Sequence, residues 1–474
     1  MNRTAEDIRR LLTPSAMIVL SLLFAACHTV RIPETDPLPT PPRTPAADHT
    51  EPDDPQPPKT KSGKPPFSLD DCIRTAQQQR LALRMAERRT LIQNRIARET
   101  RAGDWPSLDA EAQYRRRSNE TAAFGAADRG VTNASLTLTV PVYDFGRTAN
   151  AYMAERLRTR SARLDARRTR QNIEVEVKTA YFRLLEAQKI RAVVDESIRV
   201  LNAQLKIARN MLDQGLVARN DVLAAEVQLA ERKQEQIRAR NNIALARARL
   251  NRVMGREVTA PLSIVDVLEV DPWDGSPDTL FALAARERPD LAALQERLRA
   301  AVADRHAARA ELAPDIVAFG AYERSTDDAL ANDSWFLGGL GVTWPIFTGG
   351  ENRAILARRK LDIAQARDRR DNAAEEIFLA VHQAYLAVLE AGKQVPVARK
   401  RIALAEENLQ VIQDRYEQGL VTQTDVLLEE NRLTQARSSY FQSLYAYHLA
   451  VARLTHEIAA GLPGKTTPAE DTVP

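Results

Sequence analysis

Aromatic residues make up only 5% of the chain, and glycines number 18 in 474 residues. So thin a supply is unlike an average globular enzyme; the excess of Ala, Leu, Arg, Glu and Gln suits long helices. Two cysteines exclude a disulfide framework, and Cys72 is expected to be a small buried residue at the start of the folded part. Beyond the N-terminus every long segment is interrupted by charges, so any entry into a membrane must be made by strands. The net charge of +4 is small for this length. Arginines scattered among acids on helical faces read as a solvated surface, not as a nucleic-acid footprint. No catalytic constellation is present: His306, His382, His448 and His456 lack metal-ligand spacing, and there is no phosphate loop or nucleophile elbow. No enzyme activity, cofactor or metal follows.

What is present begins with a targeting segment. Arg9 and Arg10 precede an apolar run, Ala16 to Ala26, too short to span a bilayer. Ala25-Ala26-Cys27 then resembles a lipobox, in which the cysteine is acylated and becomes the first mature residue; ordinary secretion is the alternative. His28 follows the cysteine in place of Asp, which by resemblance to bacterial lipoproteins favours sorting to the outer membrane. Residues 28–66 are loaded with proline and cannot pack a core, so they are expected to be a tether. The expected divisions are 1–27 signal with lipobox, 28–66 linker, 67–270 first repeat, 271–463 second repeat and 464–474 disordered tail.

The repeats rest on one constant offset. Gln214-Gly215-Leu216-Val217 recurs as Gln418-Gly419-Leu420-Val421, Asp221-Val222-Leu223 as Asp425-Val426-Leu427, Ala180-Tyr181 as Ala384-Tyr385, and Thr139-Val140-Pro141 as Thr343-Trp344-Pro345, each 204 residues apart. Trp105-Pro106 and Ala313-Pro314 are 208 apart, so the first copy carries four extra residues before Pro141. Each copy is expected to hold one helix (Leu69 to Ala102 in the first), two short strands, a helix of about 65 residues and, after a glycine turn, one of about 35.

The long helices carry a 4-3 apolar seam, Ile173, Val177, Ala180 and Leu184 onward in one and Ile377, Val381, Ala384 and Val388 onward in the other. A 3.5-residue repeat held this long specifies supercoiled packing, and such a helix is roughly 100 Å long. The flanking helices are half as long, so two end to end are needed to cover it. The short segments alternate instead: Ala134, Leu136, Leu138 and Val140 against Ser135, Thr137 and Thr139, and Leu108, Ala110, Ala112 and Tyr114 against Asp109, Glu111 and Gln113. About ten residues is the length of a tilted membrane strand. Tyr143, Trp335 and Trp344 near strand ends suit an aromatic girdle. Four strands cannot close a barrel, so the chain is expected to share one with copies of itself, polar faces inward.

These features together with Pro-Val-Tyr-Asp-Phe-Gly (141–146), Pro-Ile-Phe-Thr-Gly-Gly (345–350) and two Gly-Leu-Val-x-x-x-Asp-Val turns resemble the TolC-like outer-membrane factor family over Phe67 to Gly461. The resemblance implies an α+β membrane protein: a homotrimer with a twelve-stranded β-barrel, four strands per chain, continued by a coiled-coil helical tunnel in the periplasm. It implies a passive exit duct for drugs, metals or proteins, coupled through a periplasmic adaptor to an inner-membrane pump. A type I protein secretion component is the alternative within that class, and a structural coiled-coil envelope protein the alternative outside it.

The resemblance also nominates residues. Asp425 matches the acidic ring at the family's periplasmic constriction, while the second ring falls on Leu428, with Glu429 beside it. Tyr416 matches a tyrosine that bonds the residue at the Asp221 position, and the family's gate arginine falls on Val421. Gly215, Leu216, Val217, Gly419, Leu420 and Val421 would meet the adaptor. Bland readings stand beside these: Asp425 and Asp221 as helix caps, Tyr416 as a seam residue, the glycines as C-caps.

Overall fold

The computed structural model describes residues 66–116, 130–268, 273, 275–326 and 333–462, all within the unit Lys64–Pro474. Cys27, most of the proline-rich segment, the loop at 117–129 and the tail lie outside the described residues. Each half runs through one order of elements: α1 (Leu69–Gln79), α2 (Leu81–Arg101), β1 (Ser107–Arg116), β2 (Gly130–Tyr143), α3 (Arg147–Asp213) and α4 (Arg219–Met254) in the first. The second has α5 (Pro277–Glu287), α6 (Pro289–Ala310), β3 (Asp315–Ser325), β4 (Ser334–Thr343), α7 (Glu351–Glu417) and α8 (Gln423–Ile458).

The expected helix from Leu69 to Ala102 is two helices. Arg80 leaves the helical region with ψ 121°, although neither proline nor glycine stands there. The cause is tertiary. Gly255, at φ +75° after α4, lies so close that a Cβ on it would be 3.0 Å from the Gln79 carbonyl, and Arg80 Nη1 donates to the Arg252 carbonyl at 2.8 Å. In the second half the break falls on Arg288, 208 residues on, where the following Pro289 disfavours helix.

The helices form a layer. The long α3 is covered along one side by α2 and then α4, and along the other by α6 and then α8; α7 packs on α6 and α8 at the far edge. End-to-end coverage of a long helix by two short ones is therefore observed. The core follows the seams: Cys72, Val177, Tyr181, Leu184, Leu250 and Leu444 are buried together, as are Ile377, Val381, Val388, Leu454 and Ile458. Cys72 is fully buried, as expected. Tyr181 donates to the Val265 carbonyl, so its hydroxyl is satisfied inside. α7 runs through Pro396, held on both sides by buried Val395 and Ala398, where proline in isolation would interrupt it.

The strands form one antiparallel sheet in the order β1-β2-β3-β4, so β1 and β4 each have one edge unpaired among the described residues. No helix among the described residues is long and apolar enough to cross a membrane.

Candidate functional site

Register assigns the sheet's faces. Asp109 pairs with Thr137, Glu111 with Ser135 and Gln113 with Asn133, while Ser135 pairs in turn with Glu323. Directly opposed residues share a face, so the expected polar face exists and extends onto β3. The reverse face carries Leu108, Tyr114, Leu136, Leu138, Tyr322, Phe336, Leu340 and Val342, with Phe336 85% and Leu340 73% exposed. A bulge between Pro141 and Tyr143 turns Tyr143 onto the Ile316 row, at the apolar face. Trp335 departs from the expected girdle: it pairs with Glu323 and belongs to the polar face. β4 is too rich in glycine for its own alternation to reveal this. Trp344, whose Nε1 donates to the Leu312 carbonyl at 3.1 Å, and exposed Trp105, Phe145 and Phe347 gather where sheet meets helices.

The outer helices of the layer have two apolar stripes. On α7 the buried stripe (Ile377, Val381, Val388, Val395, Leu409) is opposed, half a turn round, by exposed Leu361, Leu379, Leu386, Val397, Leu404 and Val411. On the other edge, exposed Leu81, Met85, Ile92 and Ile96 of α2 and Leu223, Val227, Ile237 and Leu245 of α4 likewise face away from their buried sides. A helix apolar on both sides is built to be packed on both sides.

At the far end both glycine turns close as Schellman caps. Gly215 N–H donates to Leu212 O and Leu216 N–H to Met211 O; Gly419 and Leu420 do the same to Tyr416 and Arg415. Both glycines have φ near +75° with open space around them, so backbone conformation alone demands glycine. The cap leaves Leu216 and Leu420 unexplained, and they stand 66% and 69% exposed. Val217 and Val421 are half-buried, the latter against Tyr416 and Val426.

Asp425 is the third residue of α8, in a capping box with Thr422. Its Oδ2 accepts from Thr422 N–H at 2.8 Å and from Thr422 Oγ1 at 2.7 Å, and these bonds hold its carboxyl below the ordinary value. Oδ1 has no partner among the described residues, and the side chain is half-exposed. Asp221 forms half such a box, its Oδ2 accepting from Ala218 N–H at 3.2 Å, since alanine returns no side-chain bond. Tyr416 is buried; burial, then the nearby negative charge of Asp221, raises its pKa, and its hydroxyl has no hydrogen-bond partner among the described residues. The structure brings Tyr416 and Asp221 together without a bond between them. Leu428 is exposed, and Glu429 is buried with its carboxylate bonded to Asn408 and Arg432.

One feature escaped sequence reasoning. Arg288, only 6% exposed, grips Asp290 through Nε (3.0 Å) and Nη2 (2.6 Å) and reaches the Glu457 carboxylate at 2.6 Å and its carbonyl at 3.0 Å. Arg168 of α3 donates to the His456 carbonyl at 2.8 Å beside them. Burial, then the charge of Arg168, pushes His456 down to about 4. The cluster ties the α5–α6 break to α3 and the end of α8.

Sheet, layer and turns define a class of membrane protein whose apolar sheet face and layer edges are exposed in a single chain. The sequence profile of the outer membrane efflux protein family matches residues 72–256 and again 280–459, and the chain belongs to that family. It is 25% identical over 326 residues to the outer membrane efflux protein BepC of Brucella suis biovar 1 (strain 1330), covering 66% of this chain and 70% of that protein. To the alkaline protease secretion protein AprF of Pseudomonas aeruginosa it is 23% identical over 334 residues, 68% of each. Among solved structures, CusC, studied for its folding and transmembrane channel formation, superposes with a TM-score of 0.74 at 21% identity, covering 83% of this chain and 92% of that one.

Proposed function

We propose that three copies of this chain close a twelve-stranded barrel and a helical tunnel, forming the outer-membrane exit duct of a tripartite efflux system. The carrying observation is the pair of unsatisfied boundaries: free edges on β1 and β4, and second apolar stripes on α7 and on α2 with α4. Each unpaired N–H or C=O in lipid costs several kcal/mol, and closure among copies removes them all. The apolar sheet face then meets acyl chains, the polar face (Asp109, Glu111, Ser135, Thr137) lines the lumen, and the junction aromatics sit at the headgroups.

In this reading the chain performs no catalysis; an inner-membrane pump supplies the energy and a periplasmic adaptor joins the two. Exposed Leu216 and Leu420 on their rigid turns are suited to receive the adaptor, with Gly215, Val217, Gly419 and Val421 shaping the turns. Asp425 places one free carboxylate oxygen per chain at that end, and Tyr416 with Asp221 tunes its packing. The two halves are repeats, 67–270 and 271–463, linked through residues 28–66 to an acylated Cys27. The likeness to a protein named for alkaline protease secretion favours a second reading, a type I secretion outlet.

Purified protein reconstituted in planar bilayers tests the duct. Trimers with unitary conductance are expected; a non-conducting monomer would leave only a structural envelope role.

A further inference from the structure

A cavity of about 1290 Å³ is bordered by α4, α3, α8 and α7, which are successive helices of the layer. A cavity touched by four successive members of one layer lies on its concave side. Closing copies of the layer into a tube turns that side inward, so on the tube reading, on which this inference rests, the cavity is part of the lumen.

Its lining is unbalanced in charge. Arg80, Arg183, Arg249, Arg252 and Arg453 line it, against Glu176, Glu390 and Glu457, and Arg183 is paired with Glu186 at 2.8 Å. Two of those carboxylates are engaged, Glu176 by Arg80 at 3.4 Å and Glu457 by Arg288 at 2.6 Å. Glu390 accepts from Gln394 at 3.0 Å. Arg249, Arg252 and Arg453 are exposed, and among the described residues no carboxylate comes within 4.0 Å of any of them. Arg249 and Arg252 sit three apart on one helix face, where like charges repel, and Arg453 lines the same cavity. Between the guanidiniums the wall is low: Ala180, Ala246, Ala384 and Ala450 leave the space open.

We propose that this chamber binds multiply anionic organic solutes, bearing phosphate, sulfonate or carboxylate groups, and that Arg249, Arg252 and Arg453 bias the duct toward anionic cargo. Guanidinium forks match such groups in two-point geometry and stay charged at every physiological pH. Three copies place three such arginines each around one lumen, in a concave site where field lines concentrate. The sign is opposite to that of Asp425 at the turns, so the chamber and the turn end make opposing demands on a passing ion.

The test is fluorescence anisotropy of pyranine, a pyrene trisulfonate, titrated with the full-length detergent-solubilised protein at about 50 mM and 500 mM salt, where screening differs severalfold in range. Binding that weakens with salt is expected, and Arg249→Gln/Arg252→Gln/Arg453→Gln is expected to weaken it roughly tenfold or more. The corresponding triple lysine variant should keep most of it. Equal binding by wild type and the glutamine variant, no binding at all, or equal losses in the lysine and glutamine variants would each overturn the proposal. Mass and bilayer conductance of the same preparation separate the two levels: a conducting trimer that ignores pyranine sinks the chamber alone, while a non-conducting monomer sinks the duct.

Discussion

Replacing Arg288 by methionine would keep most of the side chain's volume and remove its charge and five donors. In the intact protein its side chain is 7% exposed and contacts Asp290 and Glu457 within 3.0 Å. Breaking a buried ion pair from one side costs about 3–5 kcal/mol, because the stranded carboxylates remain. Arg168 stays 3.5 Å from Asp290 and 3.9 Å from Glu457 and softens the loss, so the lower end, about 3 kcal/mol, is expected. With about 2.1 cal/mol/K of unfolding entropy per residue over some 400 residues, the melting temperature should drop by roughly 3–4 °C, followed by far-UV circular dichroism. The pH dependence supplies a sharper check. Burial raises the pKa of Asp290, but hydrogen bonds from Arg288 and the charges of Arg288 and Arg168 outweigh it and hold the carboxyl below its ordinary value. A depressed carboxyl stabilises above its unfolded pKa, about 3.9, and loses that contribution as pH falls through the folded one. The gap between wild type and Arg288→Met should therefore be full at neutral pH and shrink below about pH 4. An unchanged melting temperature, or a gap indifferent to pH, would refute the assignment of stability to this cluster.

Leu386→Asp with Leu404→Asp, on the exposed stripe of α7, should yield monomers by light scattering with helicity intact, since neither side chain is buried in one chain; surviving trimers would move the contact elsewhere. Asp425→Asn keeps an oxygen that can accept from Thr422 N–H, so it should alter ion selectivity and cation block in bilayers with the melting temperature unchanged; unaltered selectivity and block would leave Asp425 only its capping role. Because Thr422 holds the Asp425 carboxyl below its ordinary value, cation block in the wild type should persist until the pH falls below about 4. Cys27→Ser should abolish metabolic palmitate labelling, and equal labelling of both proteins would rule out acylation at Cys27.

Much of the architecture was legible because it is written in local and periodic signals. Alternation in β1 and β2 assigned the same polar face that the Glu111–Ser135 pairing displays, and the 204-residue offset anticipated that both halves run through one order of elements. Gly215 and Gly419 announced turns because a φ near +75° admits little else. The break at Arg80 was not legible: no residue there resists helix, and the cause is Gly255, far along the chain. Trp335 was misassigned for a related reason. A strand whose own alternation is weak takes its face from its neighbour, and Tyr322 and Glu323 of β3 settle what Phe336 and Trp335 do.

The candidate site divides along the same line, between what a residue does for its own helix and what it does for another. Asp425 follows Thr422 by three residues, so its capping role is a local fact, and that role uses one carboxylate oxygen while leaving the other available. Capping and gating are therefore compatible in one side chain, and capping fixes the direction in which the free oxygen is offered. Glu429, its neighbour by sequence, is removed from consideration as a lumen charge by a contact no spacing reveals, the bond from Asn408 on α7. The arginines divide in the same way. Arg288, at the break between α5 and α6, and Arg249, on α4, are the same residue in composition, yet one is buried among two acids and an arginine, while the other has no acid within 4.0 Å among the described residues. Sequence charge patterning averages the two into a solvated surface. Only the pairing in space separates an arginine that ties helices together from one left without an acid at the border of a cavity.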